Sequence, residues 1–420
     1  MLEEKSMKNN DVQKIGGGKV SRREFFKISG TYGLSSTLLG AGLLGSSFTA
    51  AQLAKAAESE AKRRDLKAAK HVLKFGASGF NEKNLLIERA GCLDFVYDVE
   101  ERTNGEIRIE FIGDNQICGQ TTCVKKTQQG IIQMFSASTQ NSAGGAPYLN
   151  VLDYAYMFPT RASQYYFLYH KDSQKILRDP LRTRHGLHFL WSHCELRGLQ
   201  MGLKYKDKPI IESIDELKGT KNRVTGTQLG RIAMQLLELN PVPVAWSETL
   251  DALKTGLIDG AETWAGAVAY ANMSPAVAQS VDLRFFCGTE ATMMDAKVFD
   301  SFSPELQDAV MESAYLTQVK VQAAQEAALV NTVGATTPQL DGTLFKKHGT
   351  RIAHLSDEER LKAAKVCAPE HNPEPWAEWR ERLDKWSGGL DTYGMIYKIA
   401  REIPQDMLVE NVQPQRWWKS

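Results

Sequence analysis

The stretch 71–135 constrains the fold more than any other part of the chain, because it alternates the period of a strand with the period of a helix. His71-Val72-Leu73-Lys74-Phe75-Gly76 is an apolar strand that breaks at Gly76 and Gly79. Asn81 can cap the helix that follows, and Leu85, Leu86, Ala90, Leu93, Phe95 and Val96 give it a broad apolar face until Thr103-Asn104-Gly105 stops it. In Glu106-Ile107-Arg108-Ile109-Glu110-Phe111 charged and apolar residues alternate, the pattern of a half-exposed strand. A loop containing glycine, a helix ending at Gln129-Gly130 and the apolar strand Ile131-Ile132-Gln133-Met134-Phe135 complete the series. Strands separated by helices predict a mainly parallel sheet with helices on its faces.

A second set of elements begins near Cys194, after the apolar segment 187–191. Ser213-Ile214-Asp215-Glu216 is a capping box for one short turn of helix that Lys218-Gly219 ends. Asn222-Arg223-Val224 reads as a short strand, 229–239 as a helix stopped by Asn240-Pro241, and Trp246-Ser247-Glu248 as the start of a helix closed by Gly256. Residues 257–260 read as one more strand end. Ser303-Pro304-Glu305 supplies an N-cap, a proline at the first helical position and an acid against the dipole, and the helix it opens meets no breaker until about Val330. At 1.5 Å per residue such a helix is about 40 Å long, enough to brace two lobes. The tail is helical again, with a capping box at 356–359 and a tryptophan-rich stretch holding Trp376, Trp379 and Trp386.

The first 56 residues have a different character. Ser21-Arg22-Arg23-Glu24-Phe25-Phe26-Lys27 resembles the twin-arginine signature of bacterial export signals, and no charged residue follows in 28–54. Gly30, Gly33, Gly40, Gly42 and Gly45 keep that run less hydrophobic than a membrane span, and Ala54-Lys55-Ala56 is a small-x-small cleavage site. Residues 1–56 are therefore expected to be a removed signal, with Arg22 and Arg23 read by the Tat export machinery and the mature protein released to the periplasm. An uncleaved membrane anchor is the alternative. The remaining length exceeds one compact core, so two domains are expected.

Lys and Arg number 51 against 50 Asp and Glu, a formal net charge of +1, so nothing in the balance favours nucleic acid or an anionic membrane. Six cysteines stand at 92, 118, 123, 194, 287 and 367 without a C-x-x-C pair. Cys118 and Cys123 are close enough to pair in an oxidising compartment, inert buried thiols being the other reading. Gly76-Ala77-Ser78-Gly79-Phe80 only approaches a nucleophile elbow, since Phe80 stands where a glycine is required, and neither a phosphate loop nor a dinucleotide fingerprint is present. His185, His188, His193 and Cys194 form the densest metal-like cluster, yet along an extended chain His188 and His193 point to opposite faces. Two domains without a convergent nucleophile or metal set favour a binder over an enzyme. Arg197 and Arg223 each end an apolar segment, where an open α/β sheet presents loops to a crevice, and a guanidinium fork suits a carboxylate. A surface salt bridge is the ordinary alternative for both.

Three runs then carry a family resemblance. These are Leu217-Lys218-Gly219-Thr220-Lys221-Asn222-Arg223-Val224, then Leu239-Asn240-Pro241-Val242-Pro243-Val244-Ala245-Trp246-Ser247-Glu248, then Ala252-Leu253-Lys254-Thr255-Gly256-Leu257-Ile258-Asp259-Gly260-Ala261-Glu262. Together they resemble the core of the DctP-type solute-binding proteins of TRAP transporters, the tripartite ATP-independent periplasmic class. Residues 106–158 resemble that family's first-lobe block, and the likeness covers roughly 70–330. It implies an α/β, two-lobed periplasmic binding protein fold, class II-like, with a hinge and a long bracing helix. It implies that Arg223 holds the substrate carboxylate, with Arg197 as a second arginine and Trp246 as the aromatic wall. Glu262, Thr263 and Trp264 would follow in the same lobe, and Ser138 and Thr139 would be first-lobe pocket residues. Gly226, where a polar side chain is common, and Trp264, where proline is common, depart from the family pattern.

The resulting expectation is a periplasmic receptor that captures an organic acid between its lobes and passes it to a membrane permease, with no catalytic step and no resident cofactor, although a cation in the cleft is compatible with it. Lobe I would comprise 70–194 and 287–327, and lobe II 195–286 and 328–420 with the helical tail. A twin-arginine-exported metal or redox enzyme is the rival reading. The indoles of Trp246 and Trp264 suggest an apolar or aromatic monocarboxylate, unless they pack in the core.

Overall fold

A computed structural model describes residues 69–79 and 91–419, so the export signal with Arg22 and Arg23, and the proposed cap Asn81 with Leu85, Leu86 and Ala90, lie outside the described residues. The contacts form two compact units, 69–73 with 93–110, and 74–79 with 91–92 and 111–419.

In the small unit, helix α1 (Cys92–Arg102) buries Phe95, Val96 and Val99. It ends where Asn104 and Gly105 take positive φ and Thr103 Oγ1 donates to the Val99 carbonyl at 2.8 Å. Strand β2 (Ile107–Ile112) follows. Its alternation is not the predicted half-exposed one, because Arg108 is buried and 3.3 Å from Glu100, which also accepts from the Ile109 amide at 3.1 Å. An ion pair thus takes a charged residue inside where the pattern alone puts it in water.

The large unit is built on a mixed sheet. Its strands are β1 (His71–Ala77, from Lys74 onward), β3 (Met134–Ser138), β4 (Leu187–Gly202), β5 (Lys221–Val224), β6 (Asn240–Pro243), β7 (Gly260–Thr263), β8 (Val277–Asp295) and β9 (Arg351–Ala353). Their order is β1-β3-β8-β4-β7-β5-β6, with β9 paired to β8. The helix-linked pairs β1/β3, β5/β6 and β5/β7 are parallel as expected, but β4 and β8 are long antiparallel strands of 16 and 19 residues at the centre. Nearly every residue of both is buried, so their sequence shows no alternation to read. The apolar stretch at 131–135 also enters the sheet three residues later than predicted. Its Ile131 amide closes the preceding helix α2 (Cys123–Gln128) on the Lys126 carbonyl at 3.0 Å, leaving the side chain exposed.

The two central strands carry neighbours at different levels. β3 pairs with β8 at Met294 through Glu290, whereas β7 pairs with β4 at Gly198 through Met201 and β9 with β8 at Gln279 through Val281. Between these levels the register jumps, Arg197 facing Phe286 while Leu199 faces Val281, so that residues 282–285 bulge out and Arg284 adopts a φ of 53°. Gly198 is required here: a Cβ would lie 2.1 Å from the Val281 carbonyl oxygen.

Helices α3 (Arg161–Tyr169), α4 (Gln228–Leu236), α5 (Thr249–Thr255), α6 (Ala265–Tyr270), α7 (Pro304–Ala328), α8 (Asp357–Cys367), α9 (Ala377–Trp386) and α10 (Thr392–Ile399) cover the sheet. The 25-residue α7 starts as predicted, with Ser303 Oγ accepting from the Leu306 amide, and runs on through a π turn to Gly334. It braces β4, Gln318 accepting from the Ser192 amide at 2.9 Å and donating to its carbonyl at 2.5 Å. Helix α4 ends at Leu236, three residues short of the predicted bound, where Glu238 takes a φ of 58°, and Asn240, Pro241 and Pro243 lie in β6, the prolines tolerated because that strand ends the sheet order. Ser356 caps α8, yet Glu359 does not reach back to it and instead accepts from Ser213 Oγ and the Ile214 amide, both at 2.9 Å. The tail assigned by sequence to lobe II returns to residues expected in lobe I: Gln322 Nε2 donates to the Val409 carbonyl at 2.5 Å, and Arg178 stacks 4.4 Å from the Trp417 ring.

Candidate functional site

Arg223 is the third residue of β5, where the sheet ends at an open cleft of about 500 Å³. Its side chain is only 2 % exposed. Nε donates to the Val244 carbonyl at 3.2 Å and the guanidinium carbon lies 5.1 Å from the Trp246 ring centroid. The two terminal nitrogens make no hydrogen bond, and no carboxylate pairs with the group, among the described residues. Burial, and then repulsion from the Arg197 guanidinium, pull its pKa from 12.5 down to about 10, so at neutral pH it is a desolvated cation without a counter-ion.

The chain on either side of Arg223 builds one wall. Val244 to Ser247 leads from β6 into α5, while Thr225 and Gly226 lead into α4, whose N-cap Thr227 accepts from the Gly230 amide. The facing wall comes from Asn115, Gly119, Gln120, Thr121 and Asn141. Gly119 to Thr121 sit inside the disulfide that Cys118 and Cys123 form, which decides the pairing left open by the sequence. Gln120 is fixed by two bonds, its Oε1 accepting from the Ser138 amide at 2.7 Å and its Nε2 donating to the Ser78 carbonyl at 3.4 Å.

Among the residues expected in the pocket, Arg223 and Trp246 line the cleft, and the others are placed elsewhere. Arg197 is sealed behind it. Its Nε and Nη2 grip both oxygens of Glu262, the second at 2.8 Å, Nη2 also reaches the Glu262 carbonyl at 3.0 Å, and Trp264 covers the guanidinium at 4.8 Å. Arg197 and Glu262 are each about 1 % exposed, so the carboxylate already balances the guanidinium charge inside the protein. Trp264 is core, packed so closely on Gly288 that a Cβ there would lie 2.9 Å from the indole. Thr263 is buried opposite Gly198 in the β4/β7 ladder. Ser138 is buried at the end of β3, and Thr139 Oγ1 is 3.2 Å from both the carbonyl oxygen and the hydroxyl of Thr289. The indole pair that suggested an aromatic ligand is thus divided, one tryptophan on the cleft and one in the core.

Beside the Arg197–Glu262 pair lies Asp153, fully buried, whose pKa burial lifts from 3.8 to about 8 against the opposing influence of Thr227 and Arg197. It is neutral at pH 7. The histidine and cysteine cluster is dispersed: His188 stacks on Phe299 at 3.9 Å with Arg182 at 2.9 Å, and His185 Nε2 accepts from the Tyr148 amide at 3.3 Å. Among the described residues no group of three His, Cys, Asp or Glu could hold a metal ion, and no helix is long and apolar enough to cross a membrane.

Sequence reasoning missed Arg231, Gln120, Asn115 and Asn141. Arg231 had a readable signal, since it falls between the buried pairs Leu229/Gly230 and Ala233/Met234 of α4 and so off that helix's apolar face. The other three sit on loops or a short turn, where no periodicity marks direction.

Comparison with known proteins agrees with this architecture. The fold matches a TRAP periplasmic solute binding protein from Shewanella oneidensis with bound succinate at a TM-score of 0.64 and 15% identity, over 79% of this chain and 99% of that one. It matches another from Polaromonas sp. JS666 bound to D-erythronate at 0.64 and 18%, over 78% and 98%. In sequence the chain is 26% identical to protein YiiZ of Salmonella typhimurium over 167 residues, 39% of this chain and 49% of that protein. It is 24% identical to the 2,3-diketo-L-gulonate-binding periplasmic protein YiaO of Escherichia coli over 225 residues, 51% and 64%. The chain thus spans less than two thirds of either relative's length. The profile of the bacterial extracellular solute-binding proteins, family 7 (DctP), covers residues 80–373, and the chain belongs to that family.

Proposed function

We propose that this protein is the periplasmic receptor of a TRAP transporter and captures an organic acid by a carboxylate held on Arg223. The observation that carries the reading is a buried arginine facing a cleft with no anion to pair it. Leaving a desolvated charge uncompensated costs several kcal/mol, and an incoming carboxylate offsets that cost while donating geometry that only a guanidinium fork matches. Trp246 adds an apolar face against which the ligand's body can lie. Solute-binding homologues that hold succinate, D-erythronate or 2,3-diketo-L-gulonate support the same chemistry. Binding and delivery to membrane permease subunits need no catalysed step. The lobes are taken as 70–194 with 287–327 and as 195–286, the end of the tail packing back on the first of them through Val409 and Trp417, and ligand contacts from both walls favour closure. Export through the Tat machinery follows from Arg22 and Arg23, and N-terminal sequencing of the mature protein should start near residue 57.

A thermal-shift screen tests the reading. Carboxylates should raise the melting temperature of the wild-type protein and their amides should not, because only a ligand that binds the folded state stabilises it. Arg223→Lys should fold yet bind at least about tenfold more weakly, since a bidentate pair becomes a single contact. If no carboxylate shifts the transition, or if Arg223→Lys binds unchanged, the assignment is wrong.

A further inference from the structure

The cleft contains a second arginine that the family resemblance did not point to. Arg231, one turn into α4, lines the same cavity as Arg223 and is half-buried, and it has neither a hydrogen bond nor an ion pair among the described residues. No Asp or Glu is among the lining residues, so the two guanidinium groups give the lining a formal charge of two with no lining carboxylate to balance it among the described residues. Arg197 adds nothing to this charge, because the Glu262 carboxylate pairs with it. The backbone joining the two arginines, Val224 to Gly226, also lines the cavity, and it runs close to the facing wall: a Cβ on Gly226 would lie 3.7 Å from the Gln140 carbonyl oxygen and 3.9 Å from that of Asn141. A ligand reaching both arginines would therefore pass along a strip of backbone and uncharged side chains that includes Thr225 and Asn141.

We propose that Arg231 is a second anion anchor and determines specificity, so that the preferred solute carries two anionic groups, one on Arg223 and the other on Arg231. This rests on the carboxylate reading above and narrows it. A monocarboxylate neutralises only half of the charge that the cavity concentrates, and low-dielectric walls strengthen the attraction for a second anion. The preference is opposite to the one the two indoles suggested, because Trp264 has left the cleft and Arg231 has entered it.

Matched pairs of acids measured by calorimetry on the mature protein decide the point: glutarate against pentanoate, adipate against hexanoate, phthalate against benzoate, and malate against 3-hydroxybutyrate. For the wild type, the tighter member of at least one pair should be the dicarboxylate, by about tenfold or more, a difference of about 1.4 kcal/mol. In Arg231→Gln the ratio within that pair should fall close to one, while in Arg223→Lys both members weaken. A wild type that prefers the monocarboxylates, or an Arg231→Gln protein that keeps the dicarboxylate preference, overturns the proposal and leaves the carboxylate reading standing. If no acid of either kind binds, both fall together.

Discussion

Replacing Arg197 by methionine separates an arginine that binds ligand from one that holds the fold, and the two roles give opposite results. In the structure the guanidinium grips both oxygens of Glu262 and lies under Trp264, with both charged groups out of water. Removing it leaves the Glu262 carboxylate buried without its partner, and breaking such a pair costs about 3–5 kcal/mol. With an unfolding entropy of about 2.1 cal/mol/K per residue over about 350 residues, roughly 0.7 kcal/mol/K in all, the melting temperature should fall by about 4–7 °C. Arg197→Met/Glu262→Met should recover most of that loss, because two apolar side chains of similar volume replace the pair without stranding a charge. Differential scanning calorimetry reads both variants, and titration calorimetry at a temperature where they are folded reads their affinity. Carboxylate binding by Arg197→Met should stay within about threefold of wild type, well under the tenfold that corresponds to 1.4 kcal/mol. An unchanged melting temperature with binding lost would show that Arg197 faces the ligand and that the pairing with Glu262 is not its role.

Two further outcomes follow from buried groups near the site. Asp153 is neutral when folded below about pH 8 but would ionise from 3.8 upward when unfolded, so between those values the folded state holds the extra proton. Stability should therefore decline as pH rises through that window, by at most about 1.4 kcal/mol per unit, and level off above it, while Asp153→Asn should be free of the decline when melting is followed from pH 5 to pH 9. Cys118→Ala/Cys123→Ala opens the short ring that carries Gly119, Gln120 and Thr121, and should cost about 2 kcal/mol by loop closure. The same variant should weaken ligand binding, since one wall of the cleft is no longer pre-ordered, and an unchanged affinity would show that the ring does not position that wall.

Much of the scaffold was legible because it is specified locally. Ser303, Pro304 and Glu305 satisfy the first orphan amides and the dipole of α7 within a single turn. The capping box from Ser213 to Glu216 likewise opens its turn, and the left-handed glycines Gly219 and Gly256 close theirs, where the sequence placed them. Arg223 was legible for a different reason: it stands in a short strand between recognisable turns, and that strand ends at the cleft.

What the sequence by itself determined, then, is which segments become strands and helices and that one arginine reaches the crevice. Only the tertiary structure decided that Arg197 does not join it, although Arg197 and Arg223 are alike in type and local setting. The antiparallel register that places Glu262 opposite Leu199 makes it a diagonal neighbour of Arg197, across 65 residues of chain. Among the described residues no partner of that kind meets Arg223. Arg231 enters the cleft through the packing of α4, and the β8 bulge arises where two levels of one sheet must share two strands. Those features depend on pairings between distant residues, and a distant pairing leaves no trace in the periodicity of either segment.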